Sequence, residues 1–268
     1  VPYFSAGVNE DGLSDLNSYF ALSQTYSQQS DTLVSLIKNT LHATNIAVVV
    51  ASNAALNEAN KNFIYAATQA GLHIVRASRV AKTASDAELL AEANQLKNSG
   101  AQAVYLLMAP VNFIKLATNA QAQAYSPTWL GPGITNGFQI VAQAGCPSIG
   151  SAKFLSPFPQ LDAIDDLDPN YRKAYSRYIG EPADDIGILQ WGLAKSFHQV
   201  LAATGPDLSR QSLFATLTSG QTFGSNVFPE VRYDGRIRFG ASRMHLLEAD
   251  CTTRSWKTTR RFVSRADF

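Results

Sequence analysis

Apolar positions along most of this chain alternate between two rhythms. Residues 45–52 are a short β-branched run of the kind that forms a strand buried on both faces. Residues 55–70 follow with a helical period, placing Leu56, Phe63, Ile64 and Ala67 on one face, and Gly71 is a natural stop. Residues 73–80 predict the next strand. Ser85 and Glu88 have the spacing of a capping box that opens a helix over 86–98, with Gly100 at its end. A strand at 104–108, a helix over 111–124 behind Pro110, a strand at 128–130, a short helix over 134–144 and a strand at 151–156 continue the series. Strand and helix in strict succession predict a parallel sheet with helices on both faces.

The ends of the chain read differently. Residues 1–6 and 18–23 look like strands, and 27–41 like a helix. Residues 156–168 hold two prolines and four aspartates without a period, so they predict a crossover and a loop. Helices are expected over 169–179, 184–204 and 209–217, the second carrying Ile188, Leu189, Leu193, Phe197, Val200 and Leu201 at helical spacing. From Val227 the pattern turns strand-like, with a turn at Asp234-Gly235 and paired strands at 236–239 and 244–249.

Composition narrows the classes. A chain of 268 residues makes one large domain or two small ones, and 46% hydrophobic against 16% charged residues supports a buried core. The net charge of +1 argues against a general nucleic-acid binder. No apolar run is long enough to span a bilayer, and Val1-Pro2-Tyr3-Phe4 reads as a strand start rather than a leader. The charge is uneven: residues 229–268 carry nine Lys/Arg and five Asp/Glu, whereas the rest carry 13 and 16. Solvated strand faces explain the basic tail, and a docking surface for an anionic partner is the alternative.

Chemistry-bearing motifs are sparse. Gly131-Pro132-Gly133 followed by Gly137 comes after a strand and opens a helix, which motivates an alternative reading as a nucleotide-binding α/β enzyme. The spacing is one residue too long for that loop, and Pro132 removes an amide donor. A tight turn or a close approach of the backbone needs the same glycines. His42, His73, His198 and His245 are scattered, so no metal site is expected, and no G-x-S-x-G or S-x-x-K nucleophile motif occurs. Asp162, Asp165, Asp166 and Asp168 lack the order of a calcium loop and fit a solvated loop that caps the next helix. Cys146 and Cys251 are either two buried thiols or, in an exported protein, one disulfide.

The order of these pieces carries a resemblance. The opening Val-Pro-Tyr-Phe-Ser-Ala-Gly, then Tyr19–Ser23, the run Ile46–Ser52, the Gly71-led strand, Ala103–Met108, Gly131-Pro132-Gly133, Phe154–Pro159, the helix from Gln190-Trp191 and Phe228–Gly235 follow one another as in type I periplasmic binding proteins. Among these the chain most resembles the branched-chain amino-acid class of ABC-transporter receptors. The resemblance implies an α/β fold of two doubly wound parallel-sheet lobes. Lobe one would be 1–24 with 157–227, lobe two 25–156 with 228–268, and the crossovers would lie near Gln24, Pro157 and 223–228. It also implies an incomplete first lobe, with roughly 90–110 residues of βα repeats expected ahead of Val1.

Ligand capture in such a fold happens between lobes, at the carboxyl ends of strands. The implied contacts are Ser5, Ala6 and Gly7 from lobe one, and Ser52, Asn53, Ala54, Met108, Gly133, Ile134 and Thr135 from lobe two. Amino-acid binders of this class hold the ammonium with an acidic residue where this chain has Gly133. A small polar or carboxylate ligand is therefore expected, because a buried ammonium without a counter-charge is costly. Cys146 and Cys251 would share lobe two, which implies a disulfide. The expected protein is an extracytoplasmic receptor that needs no cofactor and catalyses no reaction. Its partners would be its ligand and a permease, with no nucleic acid, and it would meet a membrane only through the transporter or a lipid anchor outside this chain.

Overall fold

A computed structural model describes residues 2–5, 18–180, 182–236 and 238–268. The chain starts with two short strands, β1 (Tyr3–Ser5) and β2 (Tyr19–Ala21), paired in parallel. Helix α1 (Tyr26–Ser35) follows and winds on as a π-helical segment, Leu36–Thr40. Then come β3 (Asn45–Ala51), α2 (Asn57–Gln69), β4 (His73–Val80), α3 (Asp86–Ser99), β5 (Ala103–Leu107) and α4 (Pro110–Ala122). Next are β6 (Thr128–Pro132), α5 (Gly133–Asn136), α6 (Gln139–Gly145) and β7 (Lys153–Ser156). The helices α7 (Ile164–Leu167), α8 (Asn170–Tyr178), α9 (Asp185–Thr204) and α10 (Arg210–Leu217) lead to β8 (Thr222–Phe223) and β9 (Val231–Arg232). The chain finishes with β10 (Met244–Asp250) and β11 (Ser255–Val263).

Two compact units divide these elements. Unit 1 takes Val1–Thr25, Pro157–His245 and Arg260–Ser264; unit 2 takes Tyr26–Ser156, Leu246–Thr259 and Arg265–Phe268. Residues 228–245 thus group with unit 1.

Unit 2 is built on a seven-stranded sheet in the order β11-β10-β7-β6-β5-β3-β4. From β4 to β7 all neighbours are parallel. The four-residue link 251–254 between β10 and β11 is too short for a parallel crossover, so that pair is an antiparallel hairpin. Ile46–Val50 are fully buried because helices lie on both faces. Ala47, Val49, Val104 and Leu106 point to the face where Leu89, Leu96, Phe113, Leu116, Trp129, Phe154 and Trp256 pack. Tyr105 points the other way, and its ring stacks on Phe63 of α2 at 3.9 Å. The predicted capping box is present: Ser85 Oγ accepts from Glu88 N at 3.3 Å and Glu88 Oε2 accepts from Ser85 N at 2.7 Å. Gly100 closes α3 in the left-handed region, with φ +69°. Replacing Ser85 by Ala should cost about 1 kcal/mol in a urea unfolding experiment, and no change in midpoint would deny the cap its role.

Two sequence expectations need correction. The predicted helix 134–144 is broken into α5 and α6 at Gly137, which packs so tightly that a Cβ would lie 2.7 Å from Gly133 O and 2.9 Å from Leu247 Cδ1. The expected strand 236–239 is absent as a strand among the described residues; Phe239 makes a single bridge to Ala21. Asp234 holds this stretch as a turn: its carboxylate accepts from Arg236 N at 2.6 Å, and its carbonyl accepts from the Arg238 guanidinium. That guanidinium lies over the Phe20 and Phe214 rings at 5.1 and 5.4 Å. The partner of β10 is instead β11.

In unit 1, α9 buries Ile188, Gly192, Ser196 and Val200, a row at four-residue spacing. Gly192 has no room for a side chain, since a Cβ would meet the Phe228 ring at 2.3 Å. Asp184 caps α9 by accepting from Gly187 N at 2.6 Å. Asp168, only 2% exposed, accepts from Trp191 Nε1 at 2.8 Å and from Lys195 Nζ. Burial works to raise the Asp168 pKa, but the hydrogen bonds from Lys195 and Trp191, the Lys195 charge and the Asn170 amide outweigh it and hold the carboxyl below its ordinary range.

Candidate functional site at the strand ends of unit 2

Because β3, β5 and β6 run parallel, the residues that follow each of them emerge at one end of the sheet. Ser52, Asn53 and Ala54 leave β3 there, and all three are exposed. Ser52 N donates to Val80 O at 2.8 Å, fastening this exit to the end of β4. Asn53 Oδ1 accepts from Ala55 N at 3.0 Å and caps the 3₁₀ turn Ala54–Leu56 ahead of α2. Gly133, Ile134 and Thr135 leave β6 as the start of α5; they are buried, half-buried and exposed in turn.

Met108 stands between these two exits in the order of the strands, and its side chain is 3% exposed within the hydrophobic core. What it offers locally is its carbonyl, which accepts from Asn136 Nδ2 at 3.3 Å. Ser5 ends β1 in unit 1; its side chain, Ala6 and Gly7 lie outside the described residues.

The glycine motif has a structural explanation. A Cβ at Gly131 would sit 2.3 Å from Leu106 O, and one at Gly133 would sit 2.8 Å from Leu155 O. Together with Gly137, these residues are glycine because neighbouring backbone or side chains occupy the space. No phosphate needs to be invoked. The same contacts bar an acidic side chain from positions 131 and 133. Residues 52–54, 108 and 133–136 contain no acid, and the cation at the adjoining strand end is Arg79 of β4, whose guanidinium donates to Asn57 Oδ1.

Sequence reading missed Asn136 and Arg79. Asn136 is completely buried, but it fell inside a predicted helix and nothing in its neighbours marked it. Arg79 sits in a strand whose alternation said only that one side faces solvent. The expected bridge between Cys146 and Cys251 is formed, tying the end of α6 to the β10–β11 turn. Among the described residues, no three His, Cys, Asp or Glu are grouped to hold a metal ion, and no helix is long and apolar enough to cross a membrane.

Sequence and fold comparisons identify the class. The family model described as periplasmic binding protein matches residues 1–254, and the chain belongs to that family. Its mixed α/β architecture, with a large, mostly parallel sheet, is the type I fold of such proteins. No curated protein matches the chain. A branched-chain amino acid ABC transporter protein from Thermus thermophilus, solved with bound valine, is 16% identical with a TM-score of 0.79; the match covers 98% of this chain and 72% of that one. A leucine binding protein from Thermotoga maritima is 11% identical with a TM-score of 0.78, covering 100% and 74%. An ABC transporter solute binding protein from R. palustris, in complex with benzoate, is 16% identical with a TM-score of 0.70, covering 93% and 68%.

Proposed function

We propose that this chain is the receptor of an ABC importer outside the cytoplasm, taking up a small polar or carboxylate ligand and presenting it to a permease. In this reading the two units are the receptor's lobes, and the ligand is taken between them by hinge closure. The supporting observation is the polar rim at one end of the unit 2 sheet, where Ser52, Asn53 and Thr135 are exposed above a floor closed by Gly131 and Gly133. Such a rim can donate hydrogen bonds to a carboxylate or a hydroxyl. It supplies no carboxylate for an α-ammonium group, which favours an organic acid over a free amino acid. The benzoate held by the R. palustris protein is a ligand of that chemistry, and the valine held by the Thermus protein is the competing one. Ser52–Ala54 and Gly133–Thr135 are the contacts expected from unit 2, and Ser5–Gly7 those from unit 1. Met108 serves as the packed wall behind them. The receptor performs no chemistry on its ligand, and any tie to a membrane runs through the permease or an anchor.

A thermal-shift screen with benzoate, short aliphatic carboxylates, valine, leucine, polyols and nucleotides tests this reading. A ligand at 100 times its dissociation constant should stabilise the protein by roughly 2.7 kcal/mol. A carboxylate is expected to give the shift, and the double variant Ser52→Ala, Thr135→Val should weaken its binding by at least about tenfold. A shift with nucleotides alone, or one untouched by the double variant, would overturn the assignment.

A further inference from the structure

His245 is the last residue of unit 1 before β10 enters unit 2, and Arg260 is the first after β11 returns. The two crossings run side by side as the paired strands β10 and β11, and beside that pairing the His245 ring lies against the Phe262 ring at 4.6 Å. Phe262 is held with φ +53°, a left-handed backbone that a phenylalanine rarely adopts unless its surroundings impose it. Two contacts meet it here, the His245 ring and the bond that Arg243 donates to Phe262 O at 2.6 Å. His245 is itself fixed. It is completely buried, and its Nε2 lies 3.0 Å from Val227 O, so Nε2 carries the proton and Nδ1 is bare. Nδ1 has no hydrogen-bond partner.

Burial makes a second proton on the imidazole unwelcome, and the Arg261 charge adds to it. Arg261 on β11 and Arg243 just before β10 are cations; Asp166 of α7 neutralises the first through a bond of 2.6 Å. Glu230, in the link after Val227, is exposed on the wall of an open cavity of about 770 Å³. Phe262, Arg243 and Asp166 line the same cavity, so solvent stands one aromatic ring away from His245.

We infer that His245 is a positioning residue that locks the two crossing strands in its neutral form, and that its protonation in mild acid releases them and weakens ligand capture. The inference rests on the receptor reading for its effect on ligand, but not for the lock itself. Burial lowers the His245 pKa from the ordinary 6.5 to about 4, with the Val227 bond opposing and the Arg261 charge adding to the shift. The lock is therefore at full strength above pH 6.5 and loses it as the pH falls towards 4, because the opened state binds the proton more readily.

Hydrogen exchange of the ligand-free protein reads the lock directly. After correction for intrinsic rates, the opening constant of the amides of Met244–Leu246 and Phe262 should rise roughly 25-fold between pH 7.5 and pH 5. In His245→Gln, whose amide can still donate to Val227 O but does not titrate, it should change less than twofold. Valine and benzoate serve as probes for the second arm. Whichever binds at pH 7.5 should bind more weakly to the wild type at pH 5, and nearly unchanged to the variant. Flat exchange in the wild type would overturn the lock, even if the variant does not fold. A wild-type rise with equal sensitivity in a folded variant would assign the acid response to another group and overturn it too. If exchange follows the expectation and neither probe binds at either pH, the lock stands and it is the ligand assignment that fails.

Discussion

Replacing both Cys146 and Cys251 by Ser should lower the stability of unit 2 by about 4–5 kcal/mol, the loop-closure value for a bridge of this span. The two cysteines are 105 residues apart, so the unfolded chain gains much freedom when the link is lost. The bridge also ties down the turn of a hairpin that is added at the β7 side of the sheet, with β11 at its edge. A fall in melting temperature on the order of 10 °C is expected on this scale. Melting the oxidised protein beside the fully reduced one gives the same comparison without mutation. A difference below about 2 °C would mean that the unfolded chain is already compact across this span.

The second large effect is expected at Trp256. Its indole is completely buried and meets the Phe154 ring edge-on at 5.3 Å. Its Nε1 donates to Phe138 O at 3.1 Å, and its backbone N donates to Gln139 Oε1 at the same distance. One residue of an edge strand thus reaches both the core and the start of α6. Trp256→Ala should cost about 3–5 kcal/mol through the cavity and the lost indole bond. The disulfide and Trp256 fasten the same hairpin to opposite ends of the same short helix. Their combined loss should therefore depart from the sum of the single losses, by 0.5 kcal/mol or more in order of magnitude. Urea titration of the single and combined variants measures that departure; strict additivity would mean the two anchors act independently.

Where sequence and structure agree, a repeating physical constraint is at work. Burial on both faces fixes Ile46–Val50 as a strand, and Ser85 with Glu88 can satisfy each other's backbone amides only at a helix start. Where they differ, a single tertiary contact decides. The stretch 236–239 has strand-like residues, but Asp234 and the Phe20 and Phe214 rings claim its arginine and bend it. Strand β11 left little signal, since Lys257, Thr258, Thr259, Arg260 and Arg261 interrupt its apolar positions on an edge that solvent reaches. At the candidate site the exits after β3 and β6 were legible, because parallel strands put their loops at one end. The reason for the glycines was not, since only the packed sheet shows that Leu106 and Leu155 carbonyls fill the space beside Gly131 and Gly133.

The chain crosses between its units five times, and the sheet of unit 2 takes its last two strands from residues 244–263. During synthesis, β7 has emerged almost ninety residues before β10 exists. The docking of this hairpin onto β7 must wait until residues 244–263 have been made. Such long-range pairing makes for slow folding. It also leaves the β7 side of the sheet without its hairpin until then, a state in which exposed apolar surface is open to chaperones and to whatever machinery handles unfolded polypeptide.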